Sequence, residues 1–358
     1  MPAQTVNYQC PACMGPLHFS GETGKLQCDY CGSQYDPAEI EKLYAKKEDA
    51  AADAFQNAKE EATPWTPEGM HAYSCPSCGA ELVCDETTAA TSCPYCGNPT
   101  VVPGQFSGML KPDYVIPFKL ERNAAIVALK KYYKGKKLLP KAFSANNHIT
   151  KLQGIYVPFW LFDSWADGHV TMEAHNSRSW TEGDYEITET DEYDVVRDGK
   201  AEFQRIPVDG STKMPDNHMD SIEPYDYGEM VEFSSAYLPG YLAEKYDVDV
   251  QDSLPRAEER IQNTLRGLLE DSVQGYDSKT FTSQKIQLQE TKSHYALLPV
   301  WLLHTKWNNK DYLFAMNGQT GKLIGDLPVS KGRFAAWMAG ISVPLMVLMT
   351  VLMYLLFG

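Results

Sequence analysis

The amino-acid sequence predicts an α+β fold in three parts: two N-terminal four-cysteine zinc ribbons joined by a helical spacer, a duplicated-looking helix-plus-sheet central domain, and one C-terminal transmembrane helix. Three observations predict it. Eight of the nine cysteines fall into two sets with one spacing, the motif P-x-W-L occurs twice in similar surroundings, and residues 334–358 carry no charged side chain. The expected boundaries are 8–35 and 72–100 for the ribbons, 36–63 for the spacer and 106–330 for the central domain. Its halves are expected at 106–235 and 236–330, and the apolar helix at 334–357.

The first set is Cys10, Cys13, Cys28 and Cys31, and the second is Cys75, Cys78, Cys93 and Cys96; each reads C-x2-C-x14-C-x2-C. Two residues between cysteines let a tight turn aim both sulfurs at one ion, and Zn2+ takes four such ligands in a closed tetrahedron. Glycine after Cys31, Cys78 and Cys96 suits the left-handed turn of each knuckle, while Met14-Gly15 shifts it by one. Two structural zinc ions are therefore expected, and no catalytic or redox role for the C-x-x-C pairs. The chain opens on MPAQTVNYQC, without a basic and apolar leader, so the thiols are expected to be reduced. Cys84, in the run LVC, reads as a small buried hydrophobe.

Charge argues against nucleic acid as the ribbons' partner. Residues 1–100 carry five basic and fourteen acidic side chains, and the whole chain has a formal charge of −15. Phosphate contacts need Lys and Arg, yet none stands between Ala72 and Thr100. The spacer, DPAEIEKLYAKKEDAAADAFQNAKEEA, has Asp36 as N-cap and Pro37 at the first helical position. Without a wide apolar stripe it reads as a solvated helix of about 25 residues, roughly 40 Å long.

In the central domain, VIPFKLERNAAIVALKKYYKG reads as a strand entering a helix, and GIYVPFWLFDSWADGHVTMEA as buried strand. Acidic alternating sequence after it suggests hairpins with a turn at Asp198-Gly199, and the acids from Glu186 to Asp194 read as edge protection. A second helix is expected with Ser253 as cap and Ala257, Ile261, Leu265 and Leu268 on one face. VPFWLFDSW and LPVWLLHTKW share P-x-W-L, each after a helix and before strands, which suggests two related halves with the tryptophans in the core. NGQTGKL lacks the glycine spacing and the Ser or Thr of a phosphate loop, and reads as a turn between the strands YLFAMN and KLIGDL. The histidines form no protease or nucleophile pattern, so no enzyme is expected.

The apolar run FAAWMAGISVPLMVLMTVLMYLLFG is long enough for a hydrocarbon core of about 30 Å. Lys331 and Arg333 precede it and no charged side chain follows. The positive-inside rule then places the preceding chain in the cytoplasm, making a tail-anchored, single-pass inner-membrane protein. Within KKYYKGKKLLPK, Lys130, Lys131 and Lys134 suit a helix C-terminus, whereas Lys136, Lys137 and Lys141 lie beyond it. These three are expected to meet anionic lipid or an acidic partner.

The segments KLQGIYVPFWLFD, YLPGYLAEKYDVD, LLPVWLLHTKW and FAMNGQTGKLIGDLPVSK resemble a family of bacterial TFIIB-type zinc-ribbon membrane proteins, over essentially the whole chain. Some members carry a primosomal-helicase label that these residues do not support. The resemblance implies a role in membrane stress or maintenance beside phage-shock-protein-A-type and flotillin-like proteins, and it supplies no catalytic residue. Two functions follow as expectations: a membrane-anchored adaptor for protein partners, or a membrane-tethered, nucleic-acid-associated ribbon factor.

Overall fold

Residues 155–162, IYVPFWLF, are apolar at every position and buried at every position, as a strand covered on both faces must be. They lie in a computed structural model that describes residues 3–4, 6–45, 48, 70–75, 77–78, 81–85, 87–93, 98–102, 111–143 and 151–357. The first ribbon region holds β1 (Ala3–Gln4), β2 (Leu17–Ser20), β3 (Lys25–Cys28) and β4 (Gln34–Tyr35), followed by helix α1 over residues 37–45. The second holds β5 (Met70–Ser74), β6 (Glu81–Asp85), β7 (Thr88–Ser92) and β8 (Pro99–Val101).

The central domain runs β9 (Tyr114–Val115), α2 (Arg122–Tyr133), β10 (Gln153–Glu182), β11 (Tyr185–Asp209), α3 (Asp216–Ser221), β12 (Val231–Glu232) and β13 (Leu242–Glu244). It continues with α4 (Val250–Asp271), β14 (Ser278–Trp307), β15 (Lys310–Asn317) and β16 (Leu323–Gly325), and the apolar helix α5 (Lys331–Phe357) follows. One ten-stranded sheet runs β12-β9-β14-β10-β13-β7-β8, with β11 against β10 and β15 and β16 beyond β14. Its spine is three antiparallel strands, β11, β10 and β14; at 3.3 Å per residue the 30 residues of β10 reach about 100 Å. Arg205 and Glu290 take positive φ beside Asp163, where the registers of both strand pairs shift, so the strands bend together there.

The sheet is covered on both faces. Even-numbered Tyr156, Trp160 and Phe162 join one core with Leu129, Tyr133 and the ribbon residues Leu17 and Phe19. Odd-numbered Ile155, Val157, Phe159 and Leu161 join another with Met219 and Ile222 from α3 and the residue after it. Farther along β10, Ala166, Val170 and Met172 lie under Ile261, Leu265 and Leu269 of α4.

The two P-x-W-L segments are placed symmetrically by the register. Val157 faces Leu298 across β10 and β14, and about that pair Tyr156 faces Pro299 and Pro158 faces Leu297, so the two P-x-W-L motifs run away from it in opposite directions on antiparallel strands. The local contacts repeat about the same point. Trp160 Nε1 donates to the Val248 carbonyl at 2.9 Å, and Trp301 Nε1 to the Leu120 carbonyl at 2.9 Å. Gly210 N bonds to Pro158 O and Gly318 N to Pro299 O, both at 2.8 Å. Gly210 O in turn accepts from Asp247 and Val248, as Gly318 O does from Lys119 and Leu120. The halves, residues 114–209 and 242–317, exchange elements: β9 pairs with β14, and β13 with β10. The helices exchange as well, since α2 packs its tyrosines on Phe314 of β15 and α4 covers β10 and β11.

Several expectations change. Asp198-Gly199 is no turn; it lies mid-strand opposite His169 and Gly168, and the chain turns at Gly183, with φ +64°. The reason is packing: a Cβ at Gly199 would lie 2.7 Å from Leu269, and one at Gly168 2.9 Å from Leu265, so these glycines admit α4 to the sheet. Helix α4 starts one turn before Ser253, with Asp249 at the N-cap position, and Ser253 is buried on its inner face. Leu269 completes the stripe at intervals of four residues while Leu268 is exposed. The spacer helix is capped by Asp36, whose Oδ1 accepts from Ala38 N at 3.2 Å. Its described helix, residues 37–45, is docked rather than solvated, because Ile40 and Tyr44 are buried against the first ribbon; apart from residue 48, the remainder of the expected spacer to residue 63 lies outside the described residues. The second ribbon is continuous with the central sheet: Ala90 of β7 pairs with Ala243 of β13. The expected strands around NGQTGKL are present as β15 and β16, paired antiparallel.

Candidate metal centres

In the first ribbon the turn 10–13 is held by Met14 N donating to Cys10 O at 2.8 Å and Cys10 N to Gly15 O at 2.7 Å. The turn 28–31 is held likewise, by Gly32 N on Cys28 O and Cys28 N on Ser33 O, each at 3.0 Å. Met14, with φ +61°, takes the left-handed conformation that Gly32 takes in the other knuckle at +72°. The shifted glycine therefore does not change the turn. The four sulfurs of Cys10, Cys13, Cys28 and Cys31 lie within 4.8 Å of one another, with Cys10 to Cys31 at 3.5 Å and Cys13 to Cys28 at 3.4 Å. Zinc–sulfur bonds of about 2.3 Å in a tetrahedron give sulfur separations near 3.8 Å, so the set fits a tetrahedral soft cation.

The surroundings favour thiolates at some positions and oppose them at others. At Cys31 the Ser33 side chain and backbone amide bring the pKa down to about 6. Burial pushes the Cys10 thiol up, but the Tyr35 hydroxyl and the amides of Ala12 and Cys13 outweigh it and lower its pKa. The Gly15 amide lowers Cys13, yet the neighbouring Cys31 and Cys28 sulfurs push it up to about 12. Such crowding is what a bound divalent cation relieves, since a coordinated thiol loses its proton outright.

The second set brings Cys75, Cys78 and Cys93 within the same 4.8 Å, with Cys78 to Cys93 at 3.8 Å. Burial raises the Cys75 thiol, but amides of Cys78 and Ser77 donate to it and bring it to about 7. Cys96 lies outside the described residues, as does the side chain of Cys84. Three of the four expected ligands are therefore placed together and could hold a metal ion. A further cluster, Glu173, His175 and Glu192, lies across β10 and β11, with His175 Nε2 3.0 Å from Glu173. It is partly exposed, and the direct pairing of His175 with Glu192 accounts for it.

The first centre is built into the fold. Cys10 and Cys28 belong to the same core as Phe118 and Trp301. Phe19 N donates to Pro239 O at 2.8 Å, Ser20 Oγ to Glu121 at 3.0 Å, and Tyr8 shares a hydrogen bond of 2.7 Å with Ser235. Where this ribbon meets both halves there is a cleft of about 690 Å³, with His18, Glu121, Arg122, Lys151 and His304 among its walls. At the far end, α5 is long and apolar enough over Lys331–Met353 to cross a membrane, and none of that window is buried.

Two cysteine clusters on a duplicated sheet, with an exposed apolar helix, define the class. The chain is 36% identical over 340 residues to "Uncharacterized protein YdjG" of Bacillus subtilis (strain 168), which covers 94% of each chain. It belongs to that protein's family. No protein-family model matches the chain, and no solved structure matches it.

Proposed function

We propose that the protein is a single-pass, membrane-anchored zinc-ribbon adaptor without enzymatic activity, whose cytoplasmic part gathers protein partners in membrane stress or maintenance. Cys10, Cys13, Cys28 and Cys31 hold one structural Zn2+, and Cys75, Cys78, Cys93 and Cys96 a second. Zinc supplies folding energy at such closed sites. The observation that carries the reading is the docking of the first ribbon: its β2 residues Leu17 and Phe19 are buried in the central core. A ribbon fixed in that way acts as part of a scaffold, and the acidity of residues 1–100 opposes the nucleic-acid alternative. Lys331 and Arg333, in the first turn of α5 ahead of its uncharged run, support a cytoplasmic side of the inner membrane for the preceding chain. Phage-shock-protein-A-like and flotillin-like proteins are the partners that the family resemblance suggests.

Metal analysis of freshly purified, reduced full-length protein should give about two zinc ions per chain, and Cys28→Ser about one. Crosslinking in intact membranes should capture specific protein partners. Tight duplex-DNA binding by the full chain, falling steeply with salt, would replace the adaptor by the nucleic-acid reading.

A further inference from the structure

We propose that residues 136–141 and the first two turns of α5 form one composite surface that binds the headgroups of anionic phospholipids. The inference rests on the membrane reading of α5 and specifies what the domain touches there.

Helix α2 ends at Tyr133 with Lys134 as C-cap, and Gly135, with φ +81°, turns the chain back toward α5. The returning residues are clamped onto that helix. Ser330 N donates to Leu138 O at 2.9 Å, and Arg333 Nη1 to Leu139 O at 2.5 Å and Lys137 O at 3.4 Å. Lys137 Nζ stands 4.2 Å from the centre of the Trp337 ring, and Lys136 Nζ 5.1 Å from that of Tyr132. Tryptophan is the residue that marks the membrane–water boundary of a spanning helix. Trp337 is one turn beyond Arg333, about 6 Å along the axis, and the run beyond it has no charge. The stack therefore sets Lys137 at headgroup depth, and Lys136, Lys141 and Lys331, on the same two segments, are exposed.

Charge fits the same occupant. Residues 122–141 and 327–337 contain no acidic side chain, in a chain whose formal charge is −15. The α2 dipole accounts for Lys130 and Lys131 in its last turn, but its field falls off before Lys136. Attraction to an anionic leaflet tightens binding roughly fivefold for each nearby lysine.

The test is native mass spectrometry of the full-length protein in neutral detergent, titrated with dioleoyl-phosphatidylglycerol and with dioleoyl-phosphatidylcholine. At low salt the glycerol lipid should bind at least about tenfold more tightly, and K136Q/K137Q/K141Q should bring the two within about threefold. The variant K136R/K137R/K141R should keep the preference, as should K285Q/K292Q on β14. Equal binding of both lipids by the unaltered chain overturns the proposal and leaves the lysines to an acidic protein. Loss of preference in the arginine variant overturns it too, because charge would not be the cause. Release of the chain from native membranes by carbonate is a separate result, which sinks the membrane reading and not the measured preference.

Discussion

Residues 114–209 and residues 242–317 fold on one plan, and their helices begin at matching points, Arg122 and Val250. The buried positions correspond as well: Ala125, Leu129 and Tyr133 in α2 match Ser253, Ala257 and Ile261 in α4. The outward arms do not. In the first half β10 is followed by 25 residues of β11, whereas in the second β14 is followed by only eight of β15. Because the helices are exchanged, the 22-residue α4 lies on the long arm and the 12-residue α2 on the short one. Helix length follows the surface that has to be covered, not the half from which the helix comes. The short arm is also the one tied to α5: Tyr132 of α2 bonds through its hydroxyl to Gly325 O of β16 at 2.9 Å, and Lys137, just beyond α2, stacks on Trp337 of α5.

The sharpest contrast is chemical. The arms end in PVDGSTK and AMNGQTGK, so Asp209 and Asn317 occupy matching buried sites. Asn317 is satisfied as a neutral amide: it donates to Ile222 O at 3.0 Å and accepts from Gln319 N and Thr320 N, each at 2.9 Å. Asp209 instead pairs with Arg256 Nη1 at 2.8 Å, and the position that matches Arg256 in α2 is Ala128. Because the helices are exchanged, acid and arginine meet on the long arm, and amide and alanine lie on the short one. The largest effect on this comparison should come from Arg256→Ala, which strands a carboxylate whose side chain is only 1% exposed. Losing one partner of such a pair costs about 3–5 kcal/mol. Denaturant melts should place it well below Lys285→Ala, an exposed position on β14; a cost under about 1 kcal/mol would mean that the Asp209 pair adds little net stability.

The next effect is a pH dependence that Asp209 contributes and the neutral Asn317 does not. Burial raises the Asp209 pKa, Arg256 opposes the rise, and the result is about 6. Unfolded aspartate titrates near 3.9, so between these values the native state binds more protons than the unfolded one. That contribution to stability is fully present below about pH 4 and is lost as pH rises through 6. It amounts to about 2–3 kcal/mol in full, of which about 1 kcal/mol falls between pH 5 and 7.5. Asp209→Asn, which makes the site resemble its partner, should remove that part of the slope. Parallel stability curves for the two proteins over this range would show that the carboxyl does not carry it.

The local chemistry was legible in the sequence and the long-range pairing was not. Cysteine spacing marks the clusters because knuckle geometry is set within four residues. P-x-W-L marks two strands with matching contacts, while the likeness of PVDGSTK to AMNGQTGK stands out only once Gly210 and Gly318 are seen to make the same backbone hydrogen bonds. Tyr114–Val115 and Leu242–Glu244 are too short to show a period of two, so their exchange between halves left no trace in the pattern. Asp198-Gly199 misled because a glycine needed for close helix approach looks like a glycine needed for a turn. The clamp of Lys137 on Trp337 joins residues far apart in sequence, and only the fold brings them together.

The smallest difference between the halves should appear at the two glycines that close the frame. Gly210 and Gly318 make the same three backbone hydrogen bonds, and neither has a positive φ, so alanine is allowed at both on conformational grounds. Space separates them. A Cβ at Gly318 would lie 2.7 and 2.8 Å from ring carbons of Phe118 and 2.8 Å from Pro299 Cβ. Phe118 cannot retreat, because it is stacked on Tyr241 at 3.9 Å and held edge-on by Tyr156 and Trp301. A Cβ at Gly210 would meet Tyr246 Cβ at 3.1 Å and Trp160 Nε1 at 3.3 Å, and Tyr246 is only partly buried. Gly318→Ala should therefore cost about 1–3 kcal/mol as overpacking, and Gly210→Ala less than about 1 kcal/mol. Thermal melts of the two variants in one detergent decide it. If Gly210→Ala proves the costlier, the aromatic stack around Phe118 yields more readily than its contacts imply, and the half beside α5 is the softer of the two.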